Sequence, residues 1–325
     1  MFFLLIISFF IRNDYFNIQF IYLYFICYLQ DIKLKIPDNQ EEMKYFLINS
    51  DEKGCLVEKY VARNAWYPLL SVESEDGEIW IKLKKKTIEY LDKCDTKKLN
   101  KLTKHYCELM CQEKKIITSY EISEIVANIF YTFIFNKKLS KKNAELLVKS
   151  SYEWRKELSI KGKGCLKIKK KVIQFFKDEL FTDDIIDISA LAQPFFISPM
   201  INISDIMVEY YLNPEDNLID ILQKKHPFPL LERKLNNVQC AFFLNKKNNK
   251  IIWGYGNRKC LGIKLAISIL DSMIAYFKTY PKNLFQPYIN HKYSGRYNDN
   301  QFSINELYYQ IKFFLKLPFI INNNK

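Results

Sequence analysis

Apolar residues recur at helical spacing along most of this chain. Five segments have the length and the three-to-four-residue periodicity of amphipathic helices, namely residues 97–115, 120–135, 140–157, 164–180 and 262–279. Strand-like stretches are short, for example residues 238–244. The pattern predicts a mainly α-helical fold with small β-sheets.

Glycine and proline are distributed unevenly. They are sparse until Pro194 and Pro199 and become dense from Pro214 onwards. Because these residues mark turns and interrupted helices, irregular backbone is expected to accumulate in the C-terminal half. We therefore expect the functional site in that half of the chain.

The first thirty residues contain two apolar runs without charge, residues 1–11 and 15–30, separated by a short polar interruption. Neither run reaches the roughly 20 residues of a clean membrane span. No small-residue cleavage site follows, since residues 31–39 are charged and bulky, so a signal anchor fits better than a cleaved signal peptide. Lys33 and Lys35 would then lie on the cytoplasmic side.

This reading divides the chain into a hydrophobic N-terminal anchor or signal-like segment, residues 1–30, and a single domain, residues 31–325, facing the cytoplasm. If residues 1–30 only anchor the protein, their deletion should move the protein from the membrane to the soluble fraction. The alternative is that these residues form an amphipathic or mistranslated extension.

Lysine and arginine outnumber the acidic residues by 49 to 36, which gives a net charge of +13. The lysines are spread along the whole chain, in runs such as residues 82–86 and 167–171, rather than gathered into one patch. This distribution favours a charged, solvated surface over a nucleic-acid-binding face. Acidic partners such as membrane lipid or an electron donor remain the alternative.

The eight cysteines lack the dense, regular spacing of a secreted disulfide scaffold, which indicates a reducing environment. His105, Cys107 and Cys111 form the tightest cluster and could hold zinc. A second ligand pair at a matching spacing is missing, so buried apolar cysteines are the favoured interpretation.

Residues 253–262 hold three of the chain's eight glycines and one cysteine, directly before a predicted helix. A cysteine at this place faces unpaired backbone N–H groups and the positive end of the helix dipole, which favour thiolate over thiol. Gly254, Gly256 and Gly262 would let the chain turn tightly and let a flat ligand approach the backbone. The segment predicts a pocket around the sulfur of Cys260.

Trp253, Gly256, Arg258, Cys260 and Gly262 match the spacing of the haem-binding loop of the cytochrome P-450 family, which this chain resembles. The resemblance implies a short and divergent cytochrome P-450-like fold that lacks some standard elements. It implies haem as the cofactor, with Cys260 as the axial iron ligand, Arg258 on a haem propionate and Trp253 beside the sulfur. An accidental glycine-rich turn around a structural cysteine is the alternative.

Two further stretches extend the resemblance. Trp80 and Lys84 resemble the family's Trp-x-x-x-Arg, whose side chains reach a haem propionate, although lysine lacks the forked hydrogen bonding of arginine. Aligning the Pro-x-Pro turn at residues 227–229 puts Asp220 and Gln223 where the family has a Glu–Arg ion pair. A carboxylate–amide hydrogen bond could replace that ion pair, and a surface turn is the alternative.

The region that should supply the family's distal acid and threonine, residues 186–207, contains two prolines and no such pair. Four polar residues near the expected bend are candidates, namely Ser198, Asn202, Ser204 and Asp205. The catalytic residues therefore stay unassigned. Without a proton path, added peroxide is expected to support activity better than a reductase with dioxygen.

The resemblance implies a monooxygenase-like haem-thiolate oxidoreductase acting on an apolar small molecule, with electrons from a separate reductase. The alternative is a degenerate haem-binding member, or a lyase or isomerase that rearranges a peroxide without activating dioxygen.

Overall fold

The computed structural model describes residues 18–50, 56–224, 226, 230–244, 251–279 and 304–322. Its α-helices are α1 Ile18–Leu29, α2 Gln40–Asn49, α3 Glu58–Trp66, α4 Gly77–Leu91, α5 Thr96–Glu113, α6 Ser119–Phe135, α7 Lys141–Leu158, α8 Leu166–Leu180, α9 Ile185–Leu191, α10 Ser198–Leu212, α11 Leu218–Lys224, α12 Ile263–Phe277 and α13 Ile304–Asn322. Its strands are β1 Lys33–Lys35, β2 Leu230–Leu235 and β3 Val238–Phe243. The mainly helical fold with a small sheet is therefore confirmed.

All five helices that the periodicity predicts are present, as α5, α6, α7, α8 and α12. Their ends follow from local chemistry. Helix α6 begins at a capping box, in which Thr118 and Glu121 bond each other's backbone N–H groups, and ends at Asn136 in the left-handed conformation. Helix α7 begins where the Ser140 side chain accepts a hydrogen bond from the Asn143 backbone.

The main core lies where α6 packs on α10 and α5 packs on α12. Large side chains that are almost completely buried fill this core, among them Trp66, Trp154, Phe176, Phe195 and Phe196. Cores of this kind are densely packed and deform little. The bundle therefore gives α10 and α12, which border the site described below, fixed positions.

The three strands form one sheet in the order β1-β3-β2. Strand β1 runs parallel to β3, with Lys33 opposite Val238, whereas β2 and β3 form an antiparallel hairpin with Leu230 opposite Phe243. The strand predicted at residues 238–244 is thus confirmed. The sheet packs against α1 and carries β2 to the edge of the site.

Helix α1 lies inside the segment that the sequence assigns to an anchor. Tyr22, Leu23 and Ile26 on one of its faces are at most 2% exposed and pack among residues of the sheet and of α13. The opposite face exposes Tyr24 and Tyr28, at 62% and 76%. At 12 residues α1 is shorter than a membrane span. The first apolar run, residues 1–11, lies outside the described residues, and the proposed boundary at residue 30 stays a prediction.

Among the described residues, one segment is long and apolar enough to cross a membrane, Ile185–Leu212. Its most apolar window is 61% buried inside the domain. The apolar character of α9 and α10 is therefore accounted for by the core.

Replacing Leu23 tests whether α1 belongs to the folded domain. Because Leu23 is fully buried, Leu23→Ala should lower the free energy of unfolding by about 2–5 kcal/mol, measured by chemical denaturation in detergent. Leu29→Ala is the matched control, since Leu29 is 54% exposed and its truncation should change stability little. Equal, negligible effects would mean that α1 contributes only membrane affinity.

Candidate functional site

A cavity of about 320 Å³ opens between α4, α10, α12 and the loop that carries Cys260. Most side chains around it are apolar, contributed by α3, α6 and the turn before α10 as well. Six of the seven site residues predicted from the sequence border this cavity, namely Trp80, Lys84, Trp253, Arg258, Cys260 and Gly262. The seventh, Gly256, does not border the cavity and instead packs against Leu47 of α2.

The Cys260 loop, residues 253–262, is closed by its own backbone. The N–H of Cys260 donates to the carbonyl of Trp253 at 2.9 Å, and the N–H of Lys259 donates to Gly256 at 3.1 Å. Gly254 and Gly256 have φ values of +72° and +67°, which side chains other than glycine rarely adopt. A Cβ on Gly256 would also lie 2.9 Å from the Leu47 carbonyl of α2. The glycines are needed for the turn and for close packing.

Cys260 lies just before α12, with its surface turned to the cavity. Burial raises the pKa of the Cys260 thiol, whereas a backbone hydrogen bond from Gly262 lowers it. Burial is the larger of these two effects, and the thiolate that the sequence predicts stays a prediction. A bound metal cation would reverse this balance, because coordination deprotonates a thiol.

Trp80 joins α4 to the Cys260 loop. The guanidinium carbon of Arg258 lies 4.5 Å from the centre of the Trp80 ring, and Nζ of Lys84 lies 4.8 Å from it. Lys84 also donates to the Asn257 carbonyl at 2.8 Å. The arrangement is a double cation–π contact that fastens the loop to α4.

Arg258 forms an ion pair with Asp76, just before α4. Its guanidinium also donates to the carbonyls of Val72, at 3.1 Å, and Glu75, at 3.2 Å. The partners of Arg258 in this structure are therefore groups of the loop before α4. Its assignment to a haem propionate stays a prediction.

Arg233 on β2 is a residue that sequence reasoning missed. Its side chain borders the cavity and is 5% exposed, and it donates to the adjacent carbonyl of Glu232 at 2.6 Å. None of the ion pairs among the described residues includes Arg233. A buried guanidinium at a cavity wall is suited to an anionic ligand group. A single arginine at a strand edge leaves no pattern in the sequence.

The predicted bend in residues 186–207 takes the form of a π-helical turn, Ala192–Ile197, which contains Pro194. The turn aligns side chains five residues apart, so the Gln193 amide donates to the Ser198 hydroxyl at 3.0 Å. The same amide lies 3.4 Å from Oε1 of Glu73, whose other oxygen accepts from the Trp66 indole at 2.9 Å. Glu73 comes from the loop before α4, so inspection of residues 186–207 could not find it.

The other polar candidates of this region divide into two kinds. Ser198 and Asn202 border the cavity. Ser204 instead donates to the Ser119 carbonyl at 2.9 Å, and Asp205 pairs with Arg155 between α10 and α7. The last two therefore hold helices together.

Asp220 and Gln223 do not border the cavity. The Asp220 carboxylate accepts from the Asn217 amide at 2.6 Å, at the start of α11. The turn at residues 227–229, on which their alignment rested, lies outside the described residues. The role assigned to this pair stays untested.

The zinc alternative gains no support from the described part of the chain, where no three potential ligands meet. Cys107 is fully buried, and burial raises the pKa of its thiol well above the usual range. Both observations agree with a core cysteine.

Several solved structures share this architecture. A six-coordinated cytochrome P-450 from Thermus thermophilus superimposes with a TM-score of 0.58 at 11% identity, covering 80% of this chain and 89% of its own. CYP175A1 from Thermus thermophilus gives 0.57 at 11% identity, covering 75% and 81%. A cytochrome P-450 OleT variant in complex with arachidonic acid gives 0.56 at 12% identity, covering 76% and 79%.

Neither a protein-family model nor a curated protein sequence matches this chain. The likeness is therefore one of fold, and the chain has a cytochrome P-450-like fold. The fold is abbreviated, since residues 244–252 alone connect β3 to the Cys260 loop.

Substituting Gly256 tests the loop geometry. Gly256→Ala should lower the free energy of unfolding by about 1–2 kcal/mol from the positive φ alone, and further because Leu47 must move. Gly162→Ala is the matched control, since an added Cβ there meets nothing within 4 Å. Denaturation midpoints of the two variants measure the difference, and equal midpoints would contradict the described loop.

Proposed function

We propose that this protein binds haem through Cys260 and acts as a monooxygenase-like oxidoreductase on an apolar small molecule. The observation that carries the proposal is that Cys260, before α12, faces an apolar cavity whose rim bears Lys84, Arg233 and Arg258. A cytochrome P-450-like fold surrounds this arrangement.

The residues around the cavity fit haem. Haem is flat and apolar and bears two carboxylates, which suits apolar walls with buried or partly buried cations. An added Cβ on Gly262 would meet no atom within 4 Å, so a flat ligand has room beside the loop. Cys260 would ligate the iron, Trp253 would pack beside its sulfur, and Lys84 and Arg233 would hold the carboxylates. Bound haem supplies a redox-active iron whose thiolate ligand favours O–O cleavage.

Ser198 is the residue of this chain best placed to donate a proton in the cavity. The Gln193 amide occupies one lone pair of its oxygen, and Glu73 holds that amide in place. No hydrogen bond donated by the Ser198 hydroxyl is found among the described residues, so its hydrogen is available to an acceptor in the cavity. Water reaching the cavity would return the proton.

The walls of the cavity support an apolar substrate. Most of the lining side chains are apolar, among them Val61, Leu91, Phe130 and Ile206. Similar structures hold fatty acyl ligands: arachidonic acid in the OleT variant, and a hexadec-9Z-enoic acid carried by acyl carrier protein in P-450 BioI. A long apolar chain is therefore a reasonable class of substrate to test.

Partners follow from the same proposal. A separate reductase would supply electrons, and its acidic face would suit the basic surface of this chain. Residues 1–30 would associate with the membrane, with the exposed tyrosines of α1 near the interface and the main domain in the cytoplasm. No role in binding nucleic acid is proposed.

One observation favours the alternative, a peroxide-dependent enzyme. The Gln193 nitrogen donates both to Glu73 and to Ser198, and an amide that donates in both directions does not pass a proton between them. Glu73 thus positions the amide without supplying the proton. Chemistry that starts from a peroxide needs fewer delivered protons. It would therefore tolerate the lack of proton transfer through Gln193.

Removing the sulfur of Cys260 tests haem ligation. Cys260→Ala should abolish the red-shifted carbon monoxide band typical of thiolate ligation while leaving most of the helical content, measured by absorption and circular dichroism. Cys111→Ala is the control and should keep the band. A band that survives in Cys260→Ala would overturn the proposed ligand.

Replacing Ser198 distinguishes the two kinds of oxygen chemistry. Ser198→Ala should lower the product formed per reducing equivalent by roughly tenfold or more, while peroxide-supported turnover stays near its original rate. Ser204→Ala should leave both unchanged, since Ser204 bonds the Ser119 carbonyl. If coupling is poor before the substitution and unaffected by it, the peroxide-dependent alternative is favoured.

A further inference from the structure

Asp76 stands at the position before α4, where an aspartate normally caps the helix with its own side chain. Its backbone is extended, with φ −128° and ψ 175°, but no side-chain capping bond forms. The carboxylate instead makes two ion pairs, one with Lys59 of α3 and one with Arg258 of the Cys260 loop. The carboxylate is therefore committed to the two cations rather than to the N-terminus of α4.

The environment strengthens these ion pairs. The side chains of Arg258 and Asp76 are 8% and 11% exposed, and that of Lys59 is 27% exposed. Charges that are partly withdrawn from water attract each other more strongly than surface charges do, provided that they stay paired. Loss of one member would leave a poorly solvated charge behind.

The terminal nitrogens of Arg258 are committed to protein acceptors. Nη1 donates to the carbonyls of Val72 and Glu75, and Nη2 donates to Glu75 and to the Asp76 carboxylate. A terminal nitrogen carries two N–H groups, so these four hydrogen bonds use all four of them, and the fifth N–H group of the guanidinium, on Nε, is not among them. A carboxylate entering the cavity could therefore bond to a terminal nitrogen of Arg258 only by displacing Asp76 or one of the two carbonyls.

We propose that Asp76 is a resident carboxylate that replaces a ligand carboxylate on Arg258. The Lys59–Asp76–Arg258 triad then braces the Cys260 loop against α3 and α4, and Asp76 is a positioning residue for Cys260. The carboxylates of a bound cofactor fall to Lys84 and Arg233. This last step rests on the proposed function, whereas the brace does not.

The direction in which one substitution changes the rate of haem loss decides between the brace and the role implied by the family resemblance. Asp76→Asn keeps the shape of the side chain and removes its charge. If Asp76 braces the loop, haem should leave Asp76→Asn roughly tenfold faster than the unsubstituted protein, measured by transfer to an excess of a haem-scavenging globin. If Arg258 binds a haem carboxylate and Asp76 merely competes, Asp76→Asn should retain haem more tightly, which would overturn the proposal.

A control comes from the other end of α4. Asp187 pairs with Lys86 at 3.0 Å, the Asp187 side chain is 29% exposed against 11% for Asp76, and none of the contacts described for Asp187 involves the Cys260 loop. Asp187→Asn should leave the rate of haem loss unchanged. Equal acceleration in both variants would indicate general loosening of α4 and would also overturn the proposal.

A second measurement tests the brace without relying on haem. In the full-length protein, hydrogen exchange at the amides of Lys259 and Cys260 reports whether the loop is closed, because both donate within it. Asp76→Asn should speed their exchange about tenfold, with helix α6 unchanged. Unchanged exchange overturns the brace. Failure of haem binding with faster exchange would refute the proposed function and leave the brace standing.

If Asp76→Asn does not fold, Lys59→Met serves in its place. This change leaves the Arg258–Asp76 pair intact but removes one arm of the triad. Exchange at the two loop amides should then rise by a smaller factor than tenfold, and no rise would contradict a three-membered brace.

Discussion

The stacking of Arg258 on Trp80 is the interaction on which the site depends. Cys260 lies in a loop to which two positive-φ glycines give its shape. The contact between Arg258 and Trp80, the bond from Lys84 to Asn257 and the ion pair of Arg258 with Asp76 together fix the loop relative to α4. They thereby hold the sulfur of Cys260 towards the cavity.

The opposite wall of the cavity depends on a different constraint. Pro194 cannot donate a backbone hydrogen bond, and the chain accommodates it with a π-helical turn between α9 and α10. That turn brings Gln193 and Ser198 together, which ordinary helical spacing would not do. Pro194, which interrupts the helical pattern of the sequence, thus places a hydrogen-bonded polar pair in a mainly apolar wall.

The sequence predicts local structure well and distant pairs poorly in this protein. The helices α5 to α8 and α12 follow from periodicity, and the Cys260 loop follows from the spacing of five residues. Glu73 with Gln193, Asp76 with Arg258, and Arg233 at the cavity wall depend on segments brought together only by folding. Such pairs leave no periodic signal in a single chain.

For a related reason, the composition of the N-terminal apolar run does not distinguish a membrane helix from a helix that packs on a sheet. An apolar helix that crosses a lipid bilayer and one that covers a sheet are both rich in isoleucine, leucine and aromatic residues. The difference lies in what they contact, and α1 contacts the sheet through Tyr22, Leu23 and Ile26. Its exposed tyrosines leave the outer face available for a second contact.

Reciprocal hydrogen bonds between Glu58 and Glu232 connect the sheet to the start of α3. The Glu232 carboxylate accepts from the backbone N–H groups of Val57 and Glu58 at the start of α3, at 3.0 and 2.9 Å, and Glu58 accepts from the N–H of Glu232 at 2.7 Å. A carboxylate at a helix N-terminus is stabilised by the helix dipole, even when fully buried as Glu232 is. This reciprocal pair helps to fix β2, and with it Arg233, at the edge of the cavity.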